Sequence, residues 1–411
     1  MGARSKCRTV EAFVLAASLL ALSGCATASL RNPVPPALTE NAQVRGFAKA
    51  RFWFDEHLDK PDEALRQLGL RQLSETSTNA EGRPIASYLA LSGGADDGAY
   101  GAGLLVGWSA TGKRPSFDVV TGISAGALIA PFAFLARDYD PQLRAMWLNY
   151  TSDDLYRSDP LDGLLGGPAL ADSSPLAELI AKYVDRKLLA AIAREYRKGR
   201  LLLIGTTNLD TQRLAIWNIG EIASSNHAGA LQLFRQILLA STAVPGLFPP
   251  VRINVAAAGY EHEELHVDGG VSTQVFLLPV NVSFRDLDKL HPSPPQHRIF
   301  VIRNAKLAPA YKAVQASLFP ISERSLSTLI LNQSLADVQR IYLQSVRDGG
   351  DYNLASIPST FSHPHPLPFD RSYMAALFQL GFTQAENGNP WMKTPPGLPS
   401  GSGIWARSAL R

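Results

Sequence analysis

The chain is poor in cysteine: it has Cys7 and Cys25, and none after residue 25. If the segment carrying Cys7 is removed, no disulfide can form within one chain. A run of basic residues is also missing. Removing residues 1–24 would take away Arg4, Lys6, Arg8 and Glu11 and lower the formal charge from +3 to +1. A near-neutral surface of this kind argues against nucleic acid as a partner. No internal repeat of fixed period is present, which excludes solenoids and propellers. The apolar run at 13–22, behind Arg4, Lys6 and Arg8, has signal-peptide length and is too short to span a bilayer comfortably.

What is present suffices for a sizeable core. The 411 residues are 46% hydrophobic and 18% charged, which allows one large domain or two. The organising stretch is Gly122-Ile123-Ser124-Ala125-Gly126, between the apolar runs 117–121 and 127–130. A β-branched run, a Gly-x-Ser-x-Gly and a helix-compatible run predict a strand, a sharp turn and a helix. Such a turn lifts the serine hydroxyl to where a substrate reaches it. Ser124 is therefore the candidate nucleophile.

A second strand–loop–helix pattern precedes it. Tyr88-Leu89-Ala90-Leu91 leads into Ser92-Gly93-Gly94-Ala95-Asp96-Asp97-Gly98, and a helical run follows at 99–108. Such a loop aims backbone N–H groups at one point near a helix N-terminus, where a phosphate or an oxyanion sits. A P-loop is excluded because no Gly-Lys-Ser/Thr ends the loop, and Gly-x-Gly-x-x-Gly is not in register for a dinucleotide. Two parallel βα units side by side bring both turns to the carboxyl edge of one sheet, which favours acyl transfer.

Two other chemistries compete. A Ser-His-Asp esterase needs a histidine after its acid, and His291, His297, His363 and His365 qualify by position. His262-Glu263-Glu264-Leu265-His266 matches the zinc-protease pattern His-Glu-x-x-His, which requires a helix to bring both imidazoles to one metal. With Gly259 before it and Val267-Asp268-Gly269-Gly270 after it, a helix has no room. On a strand the two rings lie about 13 Å apart.

The Gly93-to-Gly98 loop, Gly122-Ile123-Ser124-Ala125-Gly126, the block at 240–250 and Asp268-Gly269-Gly270, in that order, resemble the signature of the patatin-like phospholipase family. The resemblance implies a three-layer α/β/α fold with a mainly parallel central sheet. It also implies a Ser124–Asp268 dyad, with Asp268 as base in place of a histidine. The implied oxyanion donors are the amides of Gly93, Gly94, Ala95 and Ala125, and neither cofactor nor metal is needed. The substrate class would be ester lipids, membrane lipid among them. Two positions depart from the family pattern: Ala95 replaces a third glycine and Asp97 replaces a basic residue. Ala95 fits if its φ is negative. The departures also leave open a catalytically degenerate scaffold.

Leu22-Ser23-Gly24-Cys25 resembles the lipobox of bacterial lipoproteins. That resemblance implies a lipid anchor at Cys25, cleavage before it, and a place in the bacterial cell envelope. Ala26 favours the outer membrane, facing the periplasm. The expected organisation is a signal peptide at 1–24, a tether and N-terminal helical segment at 25–86, a catalytic domain at 87–285, and an extension at 286–411 packed on it. Within the second of these, 26–45 reads as tether and 44–70 as helix. Beyond the elbow, helices are expected at 141–150, 174–197, 231–239, 325–346 and 373–382. Strands are expected at 201–207, 213–217 and 298–303, and a mobile tail at 387–403.

Overall fold

The computed structural model describes residues 31–55, 77–158, 169–279, 282–291, 293–388 and 390–399. The leader at 1–24, Cys25 and most of the expected helix at 44–70 lie outside them. The strands are β1 (Arg51–Trp53), β2 (Ser77–Thr78), β3 (Pro84–Leu91), β4 (Val119–Gly122), β5 (Arg157–Ser158) and β6 (Ala171–Asp172). They continue as β7 (Leu201–Asn208), β8 (Arg213–Asn218), β9 (Val251–Ala257), β10 (Tyr260–Asp268), β11 (Gln296–Arg303) and β12 (Asp351–Ser356). Among the described residues ten of these form one sheet along the order β1-β8-β7-β4-β3-β11-β12, while β5 and β6 pair separately. The five strands from β7 to β12 on this path run parallel, and β1 and β8 add an antiparallel edge.

The parallel strands are apolar on both faces because both are covered. Leu89, Leu91, Val120, Leu202, Ile204, Phe300 and Ile302 point into one core. Their neighbours Tyr88, Ala90, Val119, Leu201, Leu203, Ile299 and Val301 point into the other. The first core is roofed by α1 (Gly98–Ala110), α2 (Ala125–Leu135), α3 (Asp140–Leu148), α4 (Ser174–Tyr183), α5 (Arg186–Arg197) and α6 (Ala230–Ser241). The second is covered by the segments 275–278 and 282–287 and the latter half of α7 (Leu318–Asp348). The result is the three-layer arrangement that the sequence led us to expect.

The last helix, α8 (Arg371–Glu386), packs on α1 backbone against backbone. A Cβ on Gly103 would lie 2.0 Å from the Phe378 carbonyl oxygen, and one on Gly381 would lie 2.2 Å from that of Tyr100. Only glycine permits this approach, so α1 is fixed between the sheet and α8.

Several expectations are corrected. Residues 31–45 are no free tether: Gln43 bridges to Ala256, and Val34 and Ala42 are buried. Residues 51–53 form β1 rather than helix, because Phe52 and Trp53 pack into the two cores while their backbone pairs with β8. The tail at 390–399 is held as well. Met392 bridges to Leu354, and Trp391 packs on Trp108 and Phe300 at 4.9 and 5.1 Å between ring centres. Helix α7 starts seven residues earlier than expected, and its first half, with Leu326 and Leu329, is exposed. Residues after 286 supply two strands of the sheet, with β11 directly beside β3.

Candidate active site

Register fixes what meets at the carboxyl edge. Strand β7 carries β8 along one side from Leu203 to Asn208, so its other side is shared by β4 and β10. There Gly122 lies opposite Ile204, and Asp268 lies opposite Thr206. Strand β10, arriving antiparallel, therefore ends head-on against the end of β4. This places Asp268 against the turn after Gly122. On the other side of β4, Leu91 pairs with both Gly122 and Ile302, so the loop after β3 and the residues after β11 join the same edge.

Ser124 sits in the turn between β4 and α2 with φ 53° and ψ −123°, a strained conformation for a residue with a side chain. The turn is tight because neither flanking position carries a Cβ. On Gly122 it would lie 2.5 Å from the Gly126 carbonyl oxygen, and on Gly126 2.4 Å from that of Leu91. The Ser124 amide donates to Ser241 Oγ at 3.0 Å, and Ser241 Oγ donates to the Gly205 carbonyl at 2.8 Å. The backbone of the elbow is thus tied to β7 through a buried serine.

The Asp268 carboxylate accepts from the Gly270 amide at 2.7 Å and faces the Ser124 side chain. Burial pushes the Asp268 carboxyl up to about 6, and the Ser124 side chain and the Gly270 amide oppose the rise. A carboxylate near 6 is a better proton acceptor than an ordinary aspartate and is still ionised at neutral pH.

The Gly-rich loop faces this pair. Gly94 has φ 159°, and a Cβ there would lie 2.0 Å from the Asn304 carbonyl oxygen. A negative φ was the condition for Ala95 to fit the loop; its φ is 47°, and it is exposed at the pocket wall. The loop demands the left-handed region at that position whether or not a methyl is present. Gly93 is removed from the expected oxyanion donors because its amide donates to the Gln274 carbonyl at 3.1 Å. Among the described residues no acceptor is paired with the amides of Gly94, Ala95 and Ala125. These three remain to meet a developing negative charge.

An apolar pocket of about 90 Å³ opens from Ser124. Its wall includes Leu128, Met146, Trp147, Leu176, Leu179, Val244, Leu247, Phe248, Phe369 and Met374. Leu247 and Phe248 thus line the pocket as well as packing against the core.

The competing histidines go elsewhere. His297 joins Tyr88 and Asp288, His363 bonds the Pro364 carbonyl, and His365 bonds Asp96. None of these bonds involves Ser124, and His291 has no bond to it either. The segment His262-Glu263-Glu264-Leu265-His266 lies within β10, not on a helix. Both ring nitrogens of His266 are taken, by Thr206 Oγ1 at 2.8 Å and Glu264 at 3.0 Å, and Arg51 pairs with the same Glu264. This is a buried bracket joining β1, β7 and β10.

Residues 89–280 match the model of the patatin-like phospholipase family. They form a patatin-like phospholipase domain. No curated protein sequence matches the chain. Among solved structures, VipD from Legionella pneumophila is similar at 14% identity, covering 77% of this chain and 70% of that one, with a TM-score of 0.32. The type III effector ExoU, a Pseudomonas aeruginosa protein, is 14% identical over 82% of this chain and 60% of its own, with a TM-score of 0.29. Human GIVD cytosolic phospholipase A2 is 12% identical over 78% and 55%, with a TM-score of 0.29. Superpositions this loose carry no argument about the site.

The patatin-like domain draws on residues that its own motifs do not name. Arg303 and Asn304, at the end of β11, grip the Gly-rich loop. The Arg303 guanidinium donates to Ser92 Oγ at 3.0 Å and to the Gly93 carbonyl at 2.6 Å. Asn304 donates to Ser92 Oγ from its amide at 2.9 Å and to the Ser92 carbonyl from its side chain at 2.8 Å. On the outer side, Asp96 accepts from His365 at 2.7 Å and from the Phe369 amide at 2.8 Å, while Asp97 accepts from the Tyr373 hydroxyl at 2.7 Å. His365 stacks on Tyr373 at 3.9 Å. The acid at position 97 thus belongs to a clasp that holds the pocket-lining Phe369 segment against the loop. The available signal was the end of β11: residues after a parallel strand lie at the ligand edge.

Proposed function

We propose that the protein is a serine acyl hydrolase of ester lipids, with Ser124 as nucleophile and Asp268 as its base. The observation that carries this reading is the buried Asp268 carboxylate set against the Ser124 side chain where β10 meets the end of β4, beside three backbone amides without acceptors among the described residues. Ser124 Oγ attacks the ester carbonyl carbon while its proton passes to Asp268. The carbonyl oxygen becomes an oxyanion held by the Gly94, Ala95 and Ala125 amides, and one such donor is typically worth about 2.7–4 kcal/mol. Collapse breaks the bond to the alcohol, which leaves with the proton from Asp268. Water then attacks the acyl-enzyme, gives its proton to Asp268, and the serine takes that proton back as the acid departs. The apolar wall of the pocket suits an acyl chain and, among the described residues, offers no charged group to a headgroup.

A second reading, a scaffold with a degenerate site, is favoured by Ala95 at positive φ and by an acid at position 97. One experiment separates the two. A fluorophosphonate probe labels the wild-type protein and leaves Ser124→Ala unlabelled if the hydrolase reading holds, and absence of any labelling supports the scaffold. The membrane attachment proposed for Cys25 is tested apart from this: Cys25→Ser loses fatty-acid labelling in a bacterial host, and unchanged labelling removes the anchor. No helix among the described residues is long and apolar enough to cross a membrane.

A further inference from the structure

Each patatin-like signature residue of the Gly-rich loop has been placed, but the loop's own motif lacks the cation expected at position 97. We propose that Arg303, from the end of β11, is the cation of the oxyanion loop and acts by orienting and polarising the Gly93–Gly94 peptide. This rests on the proposed hydrolase reading and deepens it.

The argument begins with a division of labour between neighbours. Asn304 already secures the loop's position, through its amide to Ser92 Oγ and its side chain to the Ser92 carbonyl. Arg303 reaches one peptide further, to the Gly93 carbonyl at 2.6 Å. That carbonyl is conjugated with the Gly94 N–H, one of the amides left for the oxyanion. Ser92 Oγ donates to the same carbonyl at 2.7 Å while accepting from Arg303 at 3.0 Å. The guanidinium therefore acts on the Gly93 oxygen directly and also through the serine hydroxyl. A carbonyl that accepts charge-assisted hydrogen bonds leaves its amide N–H more positive and less free to rotate.

Energetics support a role beyond packing. Arg303 is buried, and burial lowers it to about 10, with Asp97 and Asp337 acting to raise it. Its Nε has no hydrogen-bond partner among the described residues. Burying a guanidinium carries a desolvation penalty that a neutral donor would avoid. A cation kept there, with one donor unsatisfied, puts positive charge behind the peptide that would face the oxyanion. Asp97, placed where a loop cation is expected, then serves as part of its counter-charge.

Arg303 is a positioning residue: it touches no substrate and works through Gly94. The test uses the full chain and p-nitrophenyl esters, with Arg303→Met and Arg303→Lys beside the wild type, and reads kcat, KM and thermal midpoint together. For Arg303→Met we expect kcat to fall about thirtyfold or more while KM stays within about threefold, since the weakened donor acts on the transition state. Arg303→Lys restores kcat to within about fivefold of wild type, because it keeps the charge. A trifluoromethyl ketone, which forms an oxyanion on Ser124, weakens in step with kcat/KM in the Met variant. A folded Arg303→Met with wild-type kcat overturns the proposal, as does equal slowing of both variants in proportion to lost thermal stability. If Arg303→Met fails to fold, Arg303→Lys decides: kcat retained despite a lowered midpoint supports the role, and kcat lost with the midpoint overturns it. A wild type that the fluorophosphonate labels, with Arg303→Met unchanged, removes only the Arg303 assignment. An unlabelled wild type removes the hydrolase reading with it.

Discussion

The Tyr373 hydroxyl donates to the Asp97 carboxylate at 2.7 Å, joining the last helix to the loop that begins α1. Burial pushes the Asp97 carboxyl up to about 6, against the pull of that hydrogen bond. Tyr373→Phe strips the ionised carboxylate of its donor and raises it further. We expect the variant to lose about 1–2 kcal/mol at pH 8. The loss is smaller at pH 5, where Asp97 is protonated in both proteins. Urea unfolding at the two pH values measures this, and an equal loss at both would assign the effect to packing alone.

Asp268 gives an activity profile and a stability profile of opposite sense. As the proposed base it must be ionised, so kcat/KM is expected to rise with pH to a plateau, with its midpoint near the value of about 6 set by burial. A carboxyl raised on folding binds its proton more tightly in the folded state. That stabilisation is present at low pH and is lost as pH rises toward 6. Asp268→Asn should therefore be inactive yet more stable than wild type at pH 8, by up to about 3 kcal/mol, with the difference gone at pH 4. Thermal midpoints across pH check the sign.

The elbow tolerates no added methyl. Gly122→Ala would set its Cβ 2.5 Å from the Gly126 carbonyl oxygen, and backbone cannot yield as a side-chain tip can. We expect a loss of about 3 kcal/mol or more, or failure to fold, seen as a drop in soluble yield and melting temperature.

In the proposed hydrolase, the pocket wall sets which acyl chains fit. Leu128 lies one helical turn after Ser124, with its amide directed at the Ser124 carbonyl at 3.3 Å, and it lines the cavity. Leu128→Trp should leave hydrolysis of acetyl esters within about threefold of wild type and reduce that of octanoyl and longer esters about tenfold or more, a typical return for lost apolar contacts. Comparing p-nitrophenyl acetate with the octanoate measures the split.

How much of this was legible beforehand follows from which signals are local. The elbow, the Gly-rich loop and the turn after Asp268 each announce themselves through glycines forced by backbone contact, and the resemblance to the patatin-like family implied the layers. The strand at 51–53 was hidden because three residues carry no period. Its aromatic residues look helical until β8 is known to lie beside them. Ala95 was acceptable only with a negative φ, a backbone angle that sequence does not reveal, and the loop holds it at 47°. The parts of the site supplied by Arg303, Asn304, His365 and Tyr373 could not be read from spacing. Their positions depend on β11 pairing with β3 and on α8 packing against α1.

The placement of β11 beside β3 also sets the smallest piece of the chain that can be made to fold. The span matching the family, 89–280, cuts β3 after its fifth residue and stops before its partner on that side. A fragment with those bounds would present the bare edge of a central apolar strand to other molecules, an invitation to aggregation. It would also lack both residues that grip Ser92 and Gly93. Work on the isolated domain therefore calls for boundaries that keep β11, β12 and α8.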